Sequence, residues 1–181
     1  MAGGLKRGVY LGMKKVIVLF IGCLVAGGLR AQEAAPKARP DTALMHFFVG
    51  HWAGKGEFAG GTPIEADVVF RVDLDSSWLV YEHRDRPPHD YKANSMWSLD
   101  RSKQFVGYTF DNFHGHREWV SNGWVGGKLI LSGSEGVGAG VMFEHFIYER
   151  VSATQFKMTY EVSGDGIKWQ MGDWLLFTRA E

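Results

Sequence analysis

Beyond about residue 50, apolar and polar positions alternate along the chain. The clearest run is Ile64, Ala66, Val68, Phe70 and Val72 on one face, with Glu65, Asp67, Arg71 and Asp73 on the other. A period of two is what a half-buried strand requires, because successive side chains point to opposite faces. The same pattern, cut by turn residues, predicts strands over 51–59, 64–73, 77–84, 92–99, 104–111, 117–125, 128–133, 141–150, 155–162 and 168–179. Gly60-Gly61-Thr62-Pro63, Asp100-Arg101-Ser102-Lys103, Gly126-Gly127 and Gly164-Asp165-Gly166 supply the turns, and Asp85 to Asp90, with Pro87-Pro88, reads as a loop. The glycine-rich Gly133 to Gly140 reads as a mobile loop. The single helical signal comes earlier, in Leu44 to Phe48, with Asp41 or Thr42 as its cap.

Successive strands with such short connections cannot form a parallel sheet, which needs long crossovers. They form a meander, and closing the meander removes its two exposed edges. The predicted fold is all-β: a single antiparallel up-and-down barrel of about ten strands, closed by a short N-terminal helix.

The first 41 residues read differently. Lys14-Lys15, the apolar Val16 to Val25 and the small Ala31 form an export signal over 1–31, with Met13 as an alternative start. Residues 32–41, with Pro36 and Pro40, read as a flexible linker, and 42–181 as the barrel domain. The apolar run is too short for a stable membrane span. Cys23 follows Phe20-Ile21-Gly22, a partial lipoprotein box, but the Leu expected upstream is missing and Leu24-Val25 follow it. A free periplasmic or secreted protein is therefore the expectation.

Charge follows the same division. Five of the 20 Lys and Arg precede residue 32 and all 20 Asp and Glu follow it, leaving fifteen bases against twenty acids, a net −5. That balance opposes nucleic-acid binding, which needs a basic face. Without cysteine beyond Cys23, disulfides cannot staple the domain.

At Gly50-His51-Trp52 the chain resembles the calycin superfamily of lipocalins, fatty-acid-binding proteins and nitrobindins, in which Gly-x-Trp follows a short closing helix. Many of these carry a terminal basic residue over the Trp; Arg179 is the counterpart here. A closer likeness is to the bacterial domain of unknown function 1579. It spans Leu44 to Arg179, through Phe48-Val49-Gly50-His51-Trp52, Ser77 to Glu82, Trp97-Ser98-Leu99-Asp100, Phe105-Val106-Gly107-Tyr108 and Trp174 to Arg179. The resemblance implies structural roles for Gly50, Trp52 and Arg179. Nitrobindins hold haem through a late histidine, whereas no histidine follows His145 here.

Seven Trp, 12 Phe and six Tyr are ample wall material for a pocket, although they serve equally to fill the barrel. Alternation assigns Phe70, Trp97, Tyr108, Trp119, Phe143, His145, Met158 and Tyr160 to the wall. On 141–150 the set Val141, Phe143, His145 and Ile147 is expected inward, because it is the more apolar face. Glu144 and Glu149 lie on opposite faces of that strand, so one carboxylate must turn inward, where it would meet an arginine or a ligand amine.

The sharpest polar cluster is His114, His116 and Glu118, three positions on one face if the strand is extended, with His145 as a further metal ligand. Loop histidines that are merely solvated, and a Glu118 paired with Arg117, explain the same residues. His46, His51, His83 and His89 read as capping, surface or rim groups. No nucleophile elbow, phosphate loop or dinucleotide fingerprint occurs. The functional expectation is a carrier of a small hydrophobic or amphipathic molecule, with no obligatory cofactor. An interaction module with a filled barrel, and a metal-dependent or His/Glu enzyme, stand as alternatives.

Overall fold

The computed structural model describes residues 46–138 and 140–180. The signal, the linker and the start of the closing helix fall on 1–45, outside the described residues. Residues 46–48 are helical and lead into eleven strands. These are β1 (Gly50–Phe58), β2 (Pro63–Asp73), β3 (Trp78–Asp85), β4 (Lys92–Leu99), β5 (Phe105–Asp111), β6 (His116–Ser121), β7 (Trp124–Val125), β8 (Lys128–Val137), β9 (Gly140–Arg150), β10 (Gln155–Ser163) and β11 (Gln170–Arg179).

All belong to one antiparallel sheet in the order β6-β5-β4-β3-β2-β1-β11-β10-β9-β8-β7. β1 pairs with β11, and Val120 on β6 pairs with Ser132 on β8, so the sheet closes on itself. β7 is only the two-residue arm of a hairpin with β8, so ten strands make the wall of a closed barrel.

Three local expectations change. The segment 117–125 is not one strand: Gly123, at φ 76°, turns the chain after Ser121. The stretch 133–137 is strand rather than loop, extending β8 against β9. One of its glycines, Gly133, has a packing reason. A Cβ on Gly133 would lie 2.7 Å from the Trp119 ring, so the indole occupies the space a side chain would need. The third change is the phase of β9. Glu144 and Tyr148 are buried, whereas Val141 and Phe143 are exposed. Phe143 and His145 face outward against the turn between β10 and β11. Phe143 lies beside Gly166, and His145 stacks on Trp169 with ring centroids 3.5 Å apart. That cover gives the outer face the apolar composition of an inner one.

The base of the barrel is filled. Phe47, Phe48, Trp52, Phe70, Trp97, Tyr148 and Phe156 belong to one buried cluster. Phe48 stacks on Phe70 at 4.8 Å and meets Phe156 edge-on at 5.3 Å. Each such ring contributes about 1.5–3 kcal/mol on leaving water. Trp52 Nε1 donates to the Phe48 carbonyl at 2.7 Å, satisfying an acceptor at the helix end. The Arg179 guanidinium lies 4.2 Å from the Trp52 ring centre and donates to the carbonyls of Val49 and Phe47, each at 2.7 Å. Gly50, at φ 131°, leaves room for that guanidinium: a Cβ there would sit 2.7 Å from Arg179 Nη1.

Candidate functional site

Above this layer the barrel is hollow. A cavity of about 420 Å³ lies among inward residues of β1 to β6 and β8 to β11, and it opens towards the 86–91 and 111–115 connections. Its apolar wall includes Tyr81, Trp97, Trp119, Phe146, Tyr148 and Met158, and Phe58, His89, Tyr91 and Phe113 surround its mouth. Tyr91 and Phe113 stack there at 6.1 Å. The volume lies within the range of small-molecule pockets.

Polar groups converge on one side. On β3, alternation turns Tyr81, His83 and Asp85 inward in succession. The Tyr81 hydroxyl is 2.7 Å from His83 Nδ1, and His83 Nε2 is 2.7 Å from Asp85 Oδ1. The assignment that satisfies all three groups has Nε2–H donating to Asp85 and the tyrosine O–H donating to Nδ1. Burial raises the Tyr81 hydroxyl well above its ordinary range, so it remains a donor.

A second network crosses from β6 to β9 and β10. Arg117 Nη1 donates to Asp111 Oδ2 at 2.6 Å, and Arg117 Nε donates to Glu144 Oε1 at 3.2 Å. The Tyr160 hydroxyl donates to the same Glu144 oxygen. Burial opposes the Arg117 charge, but Glu144 and Asp111 more than offset it and hold the guanidinium protonated above its usual range. Burial also opposes the Asp111 charge; the Gly115 N–H and Arg117 outweigh that effect and lower its carboxyl. Burial and Glu144 together raise Tyr160 above the ordinary phenol range.

A third group stands apart. Asp173, on β11, lies directly across from Tyr160 on β10 and Phe58 on β1, and it lines the cavity. Its Oδ1 is buried without a hydrogen-bond partner among the described residues, as are Glu144 Oε2 and Trp97 Nε1. Burial first, and the Asp85 charge second, push the Asp173 carboxyl up to about 7. Between these networks, Ser95 Oγ lies 2.6 Å from Thr109 Oγ1, which accepts the Trp119 Nε1 hydrogen at 2.8 Å.

The residues expected on the wall divide into three groups. Trp97, Trp119, Met158 and Tyr160 line the cavity. Phe70 is buried in the base layer, stacked on Phe48. Tyr108, Phe143 and His145 are on the outer face, where Tyr108 packs against Trp78 at 6.1 Å. Sequence reasoning missed Tyr81, His83, Asp85, Arg117 and Asp173. The signal lay in alternation itself: β3 carries three polar groups on the inward phase of a strand whose other inward residue is Leu79.

His114, His116 and Glu118 do not build a site. His114 is exposed in a turn at φ 66°, and His116 and Glu118 are exposed on the outward face of β6. Among the described residues no cluster of three His, Cys, Asp or Glu is placed to hold a metal ion. Of the other histidines, His145 faces outward, both nitrogens of the buried His83 are engaged, and His89 at the cavity mouth has Nε2 3.1 Å from the Pro63 carbonyl. The interior is not solid, as the filled-barrel alternative required.

No protein-family model matches the chain, and no curated protein matches it. Among solved structures the chain is similar to the crystal structure of Rv2717c from M. tuberculosis. The likeness has a TM-score of 0.50 at 14% identity, over 77% of this chain and 96% of that chain. At that identity the likeness is one of fold. The resemblance to domain of unknown function 1579 thus rests on the residues quoted for it alone.

Proposed function

We propose that the barrel carries a small hydrophobic or amphipathic molecule in its hollow half. The observation that supports this most strongly is the cavity of about 420 Å³, walled by aromatic rings and edged by polar groups on one side. Apolar walls supply burial energy, and a few fixed polar atoms set orientation. The sealed base favours the same reading, because a dead-end chamber retains a guest better than an open tube. Gly50, Trp52 and Arg179 support kinship with the calycins. The 1–31 segment supports export to the periplasm or medium, and the net −5 of residues 32–181 speaks against nucleic acid as a partner. No helix among the described residues is long and apolar enough to cross a membrane.

Native mass spectrometry of freshly purified protein, followed by titration with medium-chain amphiphiles while Trp emission is recorded, tests the carrier reading. A co-purified adduct, or saturable quenching in the range of tens of micromolar, is expected. Neither an adduct nor quenching would end it. Sequencing the N-terminus of the protein from a periplasmic fraction checks the cut after Ala31.

A further inference from the structure

The charges around the cavity do not balance, and the imbalance selects a guest. Among the described residues, Arg117 is the only Lys or Arg that lines it. That guanidinium is shared between Asp111 and Glu144, whose side chains are each 2% exposed. One of the two carboxylates is thus in surplus, and Glu144 Oε2 has no hydrogen-bond partner among the described residues. Asp85 is hydrogen-bonded to His83 Nε2 and meets no Lys or Arg among the described residues. Asp173 borders the cavity with a buried oxygen that has no partner among the described residues, and its cross-strand neighbour is Tyr160.

We propose that the guest is a protonated amine with an apolar body, its ammonium group held by Asp173 at the cavity wall with Glu144 and Asp85 contributing to the field. This rests on the carrier reading and narrows it to one chemical class. A carboxylate beside an apolar chamber is costly unless a cation meets it. An ammonium group brings donors to the oxygen that lacks them, and the faces of Tyr81, Trp97, Trp119 and Tyr148 attract a cation electrostatically. An anionic guest would find one guanidinium already claimed by two carboxylates. A neutral guest would offer Asp173 a hydrogen bond but no charge to match its ionised form. Burial and Asp85 hold the Asp173 carboxyl up at about 7, so arrival of a cation near neutrality favours its ionised form.

Three probes of matched length decide the matter by calorimetric titration of the purified protein at pH 8: 4-phenylbutylamine, 4-phenylbutan-1-ol and 4-phenylbutyrate. The amine should bind at least about tenfold tighter than the alcohol, and the butyrate should bind most weakly. In D173N the advantage of the amine should fall below about threefold while the alcohol is little changed. Equal binding of amine and alcohol, or preference for the butyrate, overturns the amine assignment and leaves the carrier reading standing. An undiminished amine preference in folded D173N overturns the role of Asp173. Absence of binding by all three probes counts against the carrier reading itself. The wild-type ranking decides the class of guest even where D173N does not fold.

Discussion

The guanidinium of Arg179 lies over the indole of Trp52, directly across the β1–β11 pairing, and its two outer nitrogens hold the carbonyls of Phe47 and Val49. One side chain near the end of the last strand thus covers the plug and fastens the helix that precedes the first strand. R179M keeps the length of the side chain and removes its charge and donors. It should lower stability by about 2–4 kcal/mol, from a cation–π contact and two charge-assisted hydrogen bonds. Urea unfolding followed by Trp emission measures this. A loss below about 0.5 kcal/mol would place the closure in packing alone.

Trp119 depends on the absence of a side chain at Gly133. G133V would drive two methyl groups into the indole, and overpacking of this kind costs about 1–3 kcal/mol. Near-ultraviolet circular dichroism should change with it, because the ring would leave its hydrogen bond to Thr109. An unchanged spectrum with wild-type stability would show that the ring has somewhere else to go.

Asp173 gives stability a definite dependence on pH. Its carboxyl is pushed from 3.8 up to about 7 in the folded protein, by burial first and by Asp85 second. Between those values the folded chain holds a proton that the unfolded chain has released. The contribution is therefore complete below about pH 4 and is lost as pH rises through about 7. D173N cannot ionise, so its stability relative to wild type should rise by about 2–3 kcal/mol between pH 5 and pH 8. Thermal unfolding at the two pH values reads the difference. A gap that does not widen between pH 5 and pH 8 would contradict it.

Arg117 is 17% exposed between two carboxylates that are each 2% exposed. R117M strands both of them and should cost about 3–5 kcal/mol. Adding E144L removes one stranded charge, so the double variant should recover part of that loss. Chemical denaturation of both variants and of wild type provides the comparison. No recovery in R117M/E144L would mean that Asp111 alone accounts for the penalty.

Alternation made the barrel legible from the chain, since period two with short turns admits few other architectures. Gly50, Trp52 and Arg179 could be read through their place at the two ends of the sheet. The interior was harder to read, for a physical reason. Strand phase was assigned from apolar content, and this barrel buries charge. Glu144 is inward because Arg117 and Tyr160 meet it, and those partners are distant in sequence. Phe143 is outward because the following turn covers it, another contact that its own strand does not display. The same bias hid Tyr81, His83 and Asp85. Their inward phase on β3 was available from Leu79, but three polar groups in a row suggest solvent until the pairing across the cavity is seen. The histidines at 114 and 116 drew attention by proximity in sequence, although residue 114 belongs to a turn whose backbone interrupts the alternation.

The rim formed by Tyr91 and Phe113 has its own implication for traffic. With the floor bolted by an arginine, a guest of the kind proposed would have one doorway for entry and exit, past the same stacked pair. Loosening that pair would change how long a visitor stays and how soon the next is admitted, by the same factor if the resting complex does not touch it. On the proposed reading, residence time would then be governed by two rings at the mouth and not by the acidic group alone.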